Sequence, residues 1–184
     1  MRVARTLRSS LLSVAVGMVF TAASAADVDD HRRAGDALRF AMPAGVVAYE
    51  LWRGDAEGLW QFGTSWAATM GATEILKRNV QAERPDRSND ASFPSGHASH
   101  AFAAAAYMHR RHGIEVAWPW YAAATYVGWT RVHANRHRWR DIAGSAALAG
   151  GSAWWLVKPE RGQQISVVPT IAPGLIAVEL QARW

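Results

Sequence analysis

Five Ala-rich stretches, at 34–52, 59–80, 98–111, 116–130 and 142–157, fill most of the chain beyond residue 33 and decide what it can fold into. Ala has the highest helix propensity, so a run of such segments reads as a series of helices. Breakers stand between them. Asp55 and Gly58 mark a turn between the first two. The polar segment 83–96, with Pro85 and Pro94, must be a loop. Gly113 stands where a C-terminal cap closes the third helix. Pro119 falls near the expected start of the fourth, where its missing donor costs little. The fold class expected is mainly α, a bundle of five to six helices. A chain of 184 residues suffices for one core and not comfortably for two.

The two ends differ from the middle. Arg2, Arg5 and Arg8 precede an apolar stretch at 11–20, and Ala23-Ser24-Ala25 follows. Residues 1–25 read as a secretion signal cleaved near Ala25, which places the protein in the periplasm or outside the cell. The alternative is an uncleaved helix in the inner membrane, but about 15 apolar residues are short for a span of ~20. Residues 26–157 then form the helical domain, and 158–184 a C-terminal extension. In that extension 165–171 and 175–184 alternate apolar with other residues around Ala172-Pro173-Gly174, so a β-hairpin packed on the helices is expected.

Charge and composition narrow the function. The chain is formally +5, and without Arg2, Arg5 and Arg8 it keeps 17 basic against 15 acidic residues, or +2. That gives no reason to expect nucleic acid as a partner. Of the 20 basic residues 18 are Arg, which suits bidentate contact with oxyanions. The absence of cysteine excludes disulfides, thiolate metal sites and a Cys nucleophile. Ten Trp should line a core, a ligand cleft or a membrane interface. Beyond the signal the uncharged runs reach about 16 residues, and mean hydropathy is −0.10. A periplasmic bundle resting on a membrane surface is expected, in preference to one embedded in the bilayer.

Three clusters carry candidate chemistry. Lys77 is followed after six residues by Arg84-Pro85. Pro94-Ser95-Gly96-His97 comes next, with Ser95 a good N-cap. A helix start with glycine directs unpaired N–H groups and the positive dipole end outward, which suits an anion. Last come Thr130-Arg131, then His137 after five residues and Asp141 after three more. His137 and Asp141 are spaced by one helical turn and can share a face. Each cluster alone is ordinary: a solvated Lys–Arg pair, a helix cap, a surface ion pair.

Together, in this order, they resemble the type 2 phosphatidic acid phosphatase superfamily, which also contains bacterial acid phosphatases and vanadium haloperoxidases. Its pattern K-x6-R-P, P-S-G-H, S-R-x5-H-x3-D is met throughout, with Thr130 in place of Ser as the one departure. The match runs from about 77 to 141, and the helical pattern extends it over about 34–157. The resemblance implies an acid phosphatase/haloperoxidase-like helical bundle and a metal-independent, two-step phosphatase working through a phosphohistidine. His137 would attack phosphorus and Asp141 would orient it. His97 would protonate the leaving oxygen and then activate water. Lys77, Arg84, Arg131, Ser95 and the Gly96 amide would bind the phosphate oxygens.

Elementary chemistry is consistent with that expectation. Phosphoryl transfer is mostly positioning and charge stabilisation. Metals often supply the charge, but they need clustered carboxylates, and Asp86 and Asp90 in the loop do not make such a cluster with Asp141. Three fixed cations can serve instead, each interacting at roughly 4 kcal/mol near 4 Å for an effective dielectric near 20, before desolvation is subtracted. No cofactor is expected, though vanadate could mimic phosphate. The rivals are a helical metal site on His133, His137 and Asp141, a vanadium haloperoxidase, and a non-enzymatic protein binding anionic lipid. His31, His100, His109 and His112, together with Gly54-Asp55, Arg136, Arg138 and Arg140, have no expected role. The substrate class expected is a phosphate monoester or pyrophosphate carried by a lipid, with soluble phosphomonoesters as the alternative.

Overall fold

The structure is a computed structural model. It describes residues 28–160, and beyond them only the backbone of 164–172 and 175–183. The described residues form five helices: α1 (Val28–Arg53), α2 (Ala56–Asn79), α3 (Gly96–His112), α4 (Ile114–His133) and α5 (Trp139–Leu156). The signal expected at 1–25 lies outside the described residues.

Local chemistry sets the helix ends. Asp55 caps α2 by accepting from Gly58 N at 2.8 Å. Ser95 caps α3 through its Oγ. Gly113, at φ 88°, ends α3 and starts α4 at once, so α4 begins two residues earlier than expected. Pro119 therefore lies in the second turn of α4 and removes its bond to Glu115, instead of standing where no donor is needed. Pro43, in the middle of α1, likewise gives no N–H to the carbonyl of Arg39.

Helix α3 is the hub and packs on all four others. Its Ala98, Ala101 and Ala103–Ala106 are buried beside Tyr107 and Met108, and small side chains let neighbouring helices come close. The closest approach that bears on function is at Gly35 of α1, where an added Cβ would stand 2.7 Å from Arg131 Nη2. A second is at Gly144 of α5, which lets the Phe93 ring lie against the helix and fixes the end of the 80–95 loop.

One expectation is corrected. A hairpin packed on the bundle is not supported. The backbones of Gln164–Ala172 and Leu175–Arg183 run antiparallel, but the fold is carried by the five helices alone. Trp52, Trp60, Trp118, Trp139, Trp154 and Trp155 are all more than half exposed. Among the described residues no helix is long and apolar enough to cross a membrane.

Candidate active site

The expected site residues gather at one end of the bundle, where α2 and α4 end and α3 and α5 begin, with Arg84 and His137 in the loops there. Lys77 is in the last turn of α2 and Arg84 in the loop that follows. Arg131 is in the last turn of α4. His137 and Asp141 do not share a helical face as their spacing suggested. The chain breaks at Asn135, at φ 55°, which leaves His137 in the loop and Asp141 in the first turn of α5. The reason is local: an Asp in a first turn accepts unpaired amides, and Asp141 Oδ2 takes Arg138 N at 2.9 Å.

The first group of side chains surrounds His137. Its ring is buried, and Nδ1 faces Asp141 Oδ2 at 3.5 Å. Ser92, which sequence reasoning missed, donates to the same Oδ2 at 2.6 Å and lies 3.5 Å from His137 Nδ1. Burial, then the charges of Arg84 and Lys77, push His137 down to about 4 against the opposing pull of Asp141. Burial alone would raise the Asp141 carboxyl, yet Ser92, the Arg138 amide and His137 hold it below the usual carboxylate range. His137 is thus a neutral ring at neutral pH, with its second nitrogen available.

Among the described residues no carboxylate pairs with the cations of this group. Lys77 Nζ donates to Ala91 O at 2.8 Å, and its ammonium is pulled below its ordinary value by burial and by Arg84. Arg84 Nε donates to Asn89 Oδ1 at 2.9 Å. The loop bearing Arg84 is held by Arg138, which reaches Glu83 O at 2.6 Å, and by Arg136, which pairs with Asp86 at 3.0 Å. Arg136 and Arg138, given no role from sequence, therefore position this loop.

The second group surrounds His97. Its Nε2 donates to Asp36 Oδ1 at 2.8 Å, and Arg39 Nη1 lies 3.2 Å from the same nitrogen. Burial, then Arg131 and Arg39, push His97 down to about 4, with Asp36 opposing. Arg131 is buried and commits three of its five N–H groups: to Asp36 Oδ1 at 2.8 Å, to Arg32 O at 2.6 Å and to Thr130 Oγ1 at 3.1 Å. Thr130 thereby supplies the hydroxyl that Ser has in the family pattern. Asp36 and Arg39 were not singled out from sequence. They lie on α1, far from the motifs in the chain, and no spacing rule reaches them.

The two groups meet at the start of α3. A Cβ built on Gly96 would stand 3.8 Å from Lys77 Cε, and His97 is the next residue. Ser95 is fully buried, and its contacts are structural. Its amide donates to Asp141 O at 3.2 Å, its carbonyl accepts from Ser145 Oγ at 2.8 Å, and its hydroxyl caps the helix. The rival metal site is not assembled. His133 stacks on Trp129 with ring centroids 4.6 Å apart, and among the described residues no three His, Cys, Asp or Glu side chains are grouped to hold an ion.

The comparisons with known proteins agree with this architecture. The chain is 30% identical over 147 residues to the lipid A 4'-phosphatase of Helicobacter pylori, covering 68% of this chain and 74% of that one. It is 37% identical over 81 residues to the lipid A 1-phosphatase of Porphyromonas gingivalis, covering 40% of this chain and 18% of that one. The crystal structure of Aquifex aeolicus LpxE shares the fold at a TM-score of 0.52 and 16% identity, covering 73% of this chain and 96% of that one. The sequence profile of the PAP2 superfamily matches residues 58–161, which hold Lys77, Arg84, His97, Arg131, His137 and Asp141, and the chain belongs to that superfamily.

Proposed function

We propose that this protein is a metal-independent phosphatase of lipid-borne phosphate, acting through a phosphohistidine on His137. Membership of the PAP2 superfamily and the two phosphatase relatives support a phosphatase of lipid phosphates. The observation that carries the finer reading is a neutral, buried imidazole with a carboxylate behind one nitrogen and two cations without carboxylate partners beside it. Such a ring is a nucleophile held in one orientation, and the excess positive charge suits a dianion.

The steps follow from that arrangement. His137 Nε2 bonds to phosphorus while the bond to the leaving oxygen breaks. His97 gives that oxygen a proton. Water then attacks the phosphohistidine, His97 takes the water proton, and the P–N bond breaks to release phosphate. His97 is poorly protonated at neutral pH in the free protein. A bound dianion raises it, because opposite charge favours the imidazolium. Lys77, Arg84 and the remaining donors of Arg131 hold the non-bridging oxygens, with the Gly96 amide at the helix start.

A periplasmic location after cleavage near Ala25 fits a lipid substrate, and so do the exposed Trp side chains, which suit a membrane surface. The deciding experiment measures phosphate release from a panel of lipid and soluble phosphates, with chelator present, for the wild type and His137→Ala. Wild type is expected to retain its rate and the variant to fall by about 10³-fold or more. Activity retained within tenfold in the variant, or lost on chelation, rules the mechanism out.

A further inference from the structure

His97 stands between a carboxylate and a guanidinium that claim the same nitrogen. Asp36 Oδ1 lies 2.8 Å from His97 Nε2, and Arg39 Nη1 lies 3.2 Å from it. One nitrogen cannot donate to the first and accept from the second at once. The bond to the carboxylate is the shorter and is charge-assisted, so it holds, and Nε2 carries the proton. The neutral ring then keeps its lone pair on Nδ1. Among the described residues no other carboxylate pairs with His97.

Asp36 is held in that place by α4. Its Oδ1 also accepts from Arg131 Nη1 at 2.8 Å, and Arg131 Nη2 donates to the carbonyl of Arg32, one turn earlier on α1, at 2.6 Å. Gly35 permits this approach, since a Cβ there would stand 2.7 Å from Arg131 Nη2. Burial would raise the Asp36 carboxyl, yet His97 and Arg131 hold it below the usual carboxylate range, so it is ionised at neutral pH. The other charged or titratable groups around His97 are Arg39 of α1, Arg131 of α4, Lys77 of α2 beside the preceding Gly96, and His100 one turn along α3. Arg131 and Arg39 disfavour the imidazolium, and Asp36 favours it.

We propose that Asp36 is the positioning residue of His97: it keeps the ring proton on Nε2, so that Nδ1 is the nitrogen that serves the leaving oxygen and then the attacking water. This rests on the phosphatase reading and deepens its account of the acid and the base. In the first step the Nδ1 proton of the imidazolium passes to the leaving oxygen as the bond from that oxygen to phosphorus breaks. In the second, Nδ1 takes a proton from water while the water oxygen bonds to phosphorus and the P–N bond to His137 breaks. Nε2 keeps its proton, directed at Asp36, throughout. Each of the two imidazoles is thus oriented by one carboxylate, His137 by Asp141 and His97 by Asp36. Asp141 lies within the motif that marks His137, whereas Asp36 precedes all three motifs by more than a helix. Because Asp36 also holds Arg131, a phosphate-binding group and the proton-transfer group share one anchor.

The tautomer can be read directly, whatever the reaction. The full chain, isotope-labelled in its histidines, gives long-range proton–nitrogen correlations for each ring at pH 7, and His97→Gln identifies the signals of His97. Wild type should carry the proton on Nε2. Asp36→Ala should move it to Nδ1, because Arg39 is then the neighbour of Nε2 and can only donate. A wild-type ring protonated on Nδ1 overturns the proposal, and so does a tautomer that Asp36→Ala leaves unchanged. Rates in detergent micelles, with chelator present, test the consequence. The leaving oxygen of para-nitrophenyl phosphate needs no proton, and that of octyl phosphate does. Asp36→Ala should lower kcat/KM by about 10²-fold for octyl phosphate and by about tenfold or less for para-nitrophenyl phosphate, and Asp36→Glu should regain most of the difference. A misfolded fraction lowers both rates alike and leaves their ratio unchanged. An equal loss on both substrates, or no recovery with Asp36→Glu, makes Asp36 a structural residue only and overturns the proposal. A wild type that turns over neither phosphate faults the phosphatase reading instead, and the ring tautomer still decides the role of Asp36.

Discussion

Where α1 ends and α2 begins, basic side chains are paired with carboxylates. Arg111 pairs with Asp55 at 2.5 Å, Arg53 pairs with Glu160, and His112 lies between Glu50 at 2.5 Å and Glu160 at 3.1 Å. Tyr107 donates to the same buried Glu50 at 3.0 Å. About 20 Å away along α1, at the other end, similar residue types are assembled without balance. Lys77, Arg84 and Arg39 end on carbonyl, amide and imidazole groups, and Asp36 serves both His97 and Arg131. Two clusters of His, Arg and carboxylate are thus told apart by whether the charge closes on itself. The closed one ties helix ends together. The open one carries positive charge that a bound anion can neutralise, and it is the end where the family's motifs converge.

The contrast breaks if the two ends respond alike to losing one member. Arg84→Ala should lower kcat/KM for phosphate release by about 10²–10³-fold, the size of one lost contact to developing charge. Its melting temperature should hold or rise slightly, since like charges near Lys77 are relieved. His112→Ala at the other end should do the reverse. It leaves Glu50 buried and without its imidazole, a loss of about 3–5 kcal/mol and roughly a 10 °C fall in melting temperature. The activity of the folded fraction should stay within about twofold. Calorimetry and steady-state rates on both variants decide the matter. A destabilised Arg84→Ala or an inactive, stable His112→Ala would erase the distinction.

The same contrast explains what was legible in the sequence. Lys77, Arg84, His97, Arg131, His137 and Asp141 could be found because the motifs fix them by spacing, and the helices because Ala-rich runs and Gly113 mark them. Asp36, Arg39 and Ser92 could not, since each reaches the site by tertiary packing: α1 through the close approach at Gly35, Ser92 through the loop that Phe93 anchors on Gly144. The pairing of His137 with Asp141 was expected on one helix and arises from a loop and a first turn, because a four-residue spacing serves both geometries. The unassigned His112 belongs to the closed cluster and stands outside the Pro-Ser-Gly-His motif that marks His97.

Acid should sharpen the contrast further. His137 and His97 are both pushed down to about 4 in the folded chain, against 6.5 unfolded. Between those values the unfolded chain binds the extra protons. Stability is therefore fully present above about pH 6.5 and falls as pH drops toward 4. The buried His137 accounts for roughly 2–3 kcal/mol of that fall, and the partly exposed His97 for less. Denaturant unfolding at pH 7 and pH 4.5 measures it. His137→Gln should remove a large share of the difference between the two pH values. An unchanged difference would mean that the ring does not stay neutral on folding.

The smallest effect expected is at Ser92, and it tests how the open cluster is tuned. Its hydroxyl and the His137 ring compete for one oxygen of Asp141, while Oδ1 of that carboxylate is buried without a hydrogen bond. Ser92→Ala removes a single hydrogen bond to a charged group, about 1.5–3 kcal/mol at most and less if the imidazole moves in to replace it. With the hydroxyl gone, Oδ2 of Asp141 is shared only between the Arg138 amide and His137. The imidazolium is then favoured, and the acid limb of kcat/KM moves upward from about pH 4. The rate at neutral pH should change by no more than about tenfold, because the nucleophile and its cations remain. A pH–rate profile reads both quantities. An acid limb that stays fixed, or moves down, would mean that Ser92 holds the loop and does not share the carboxylate with the nucleophile.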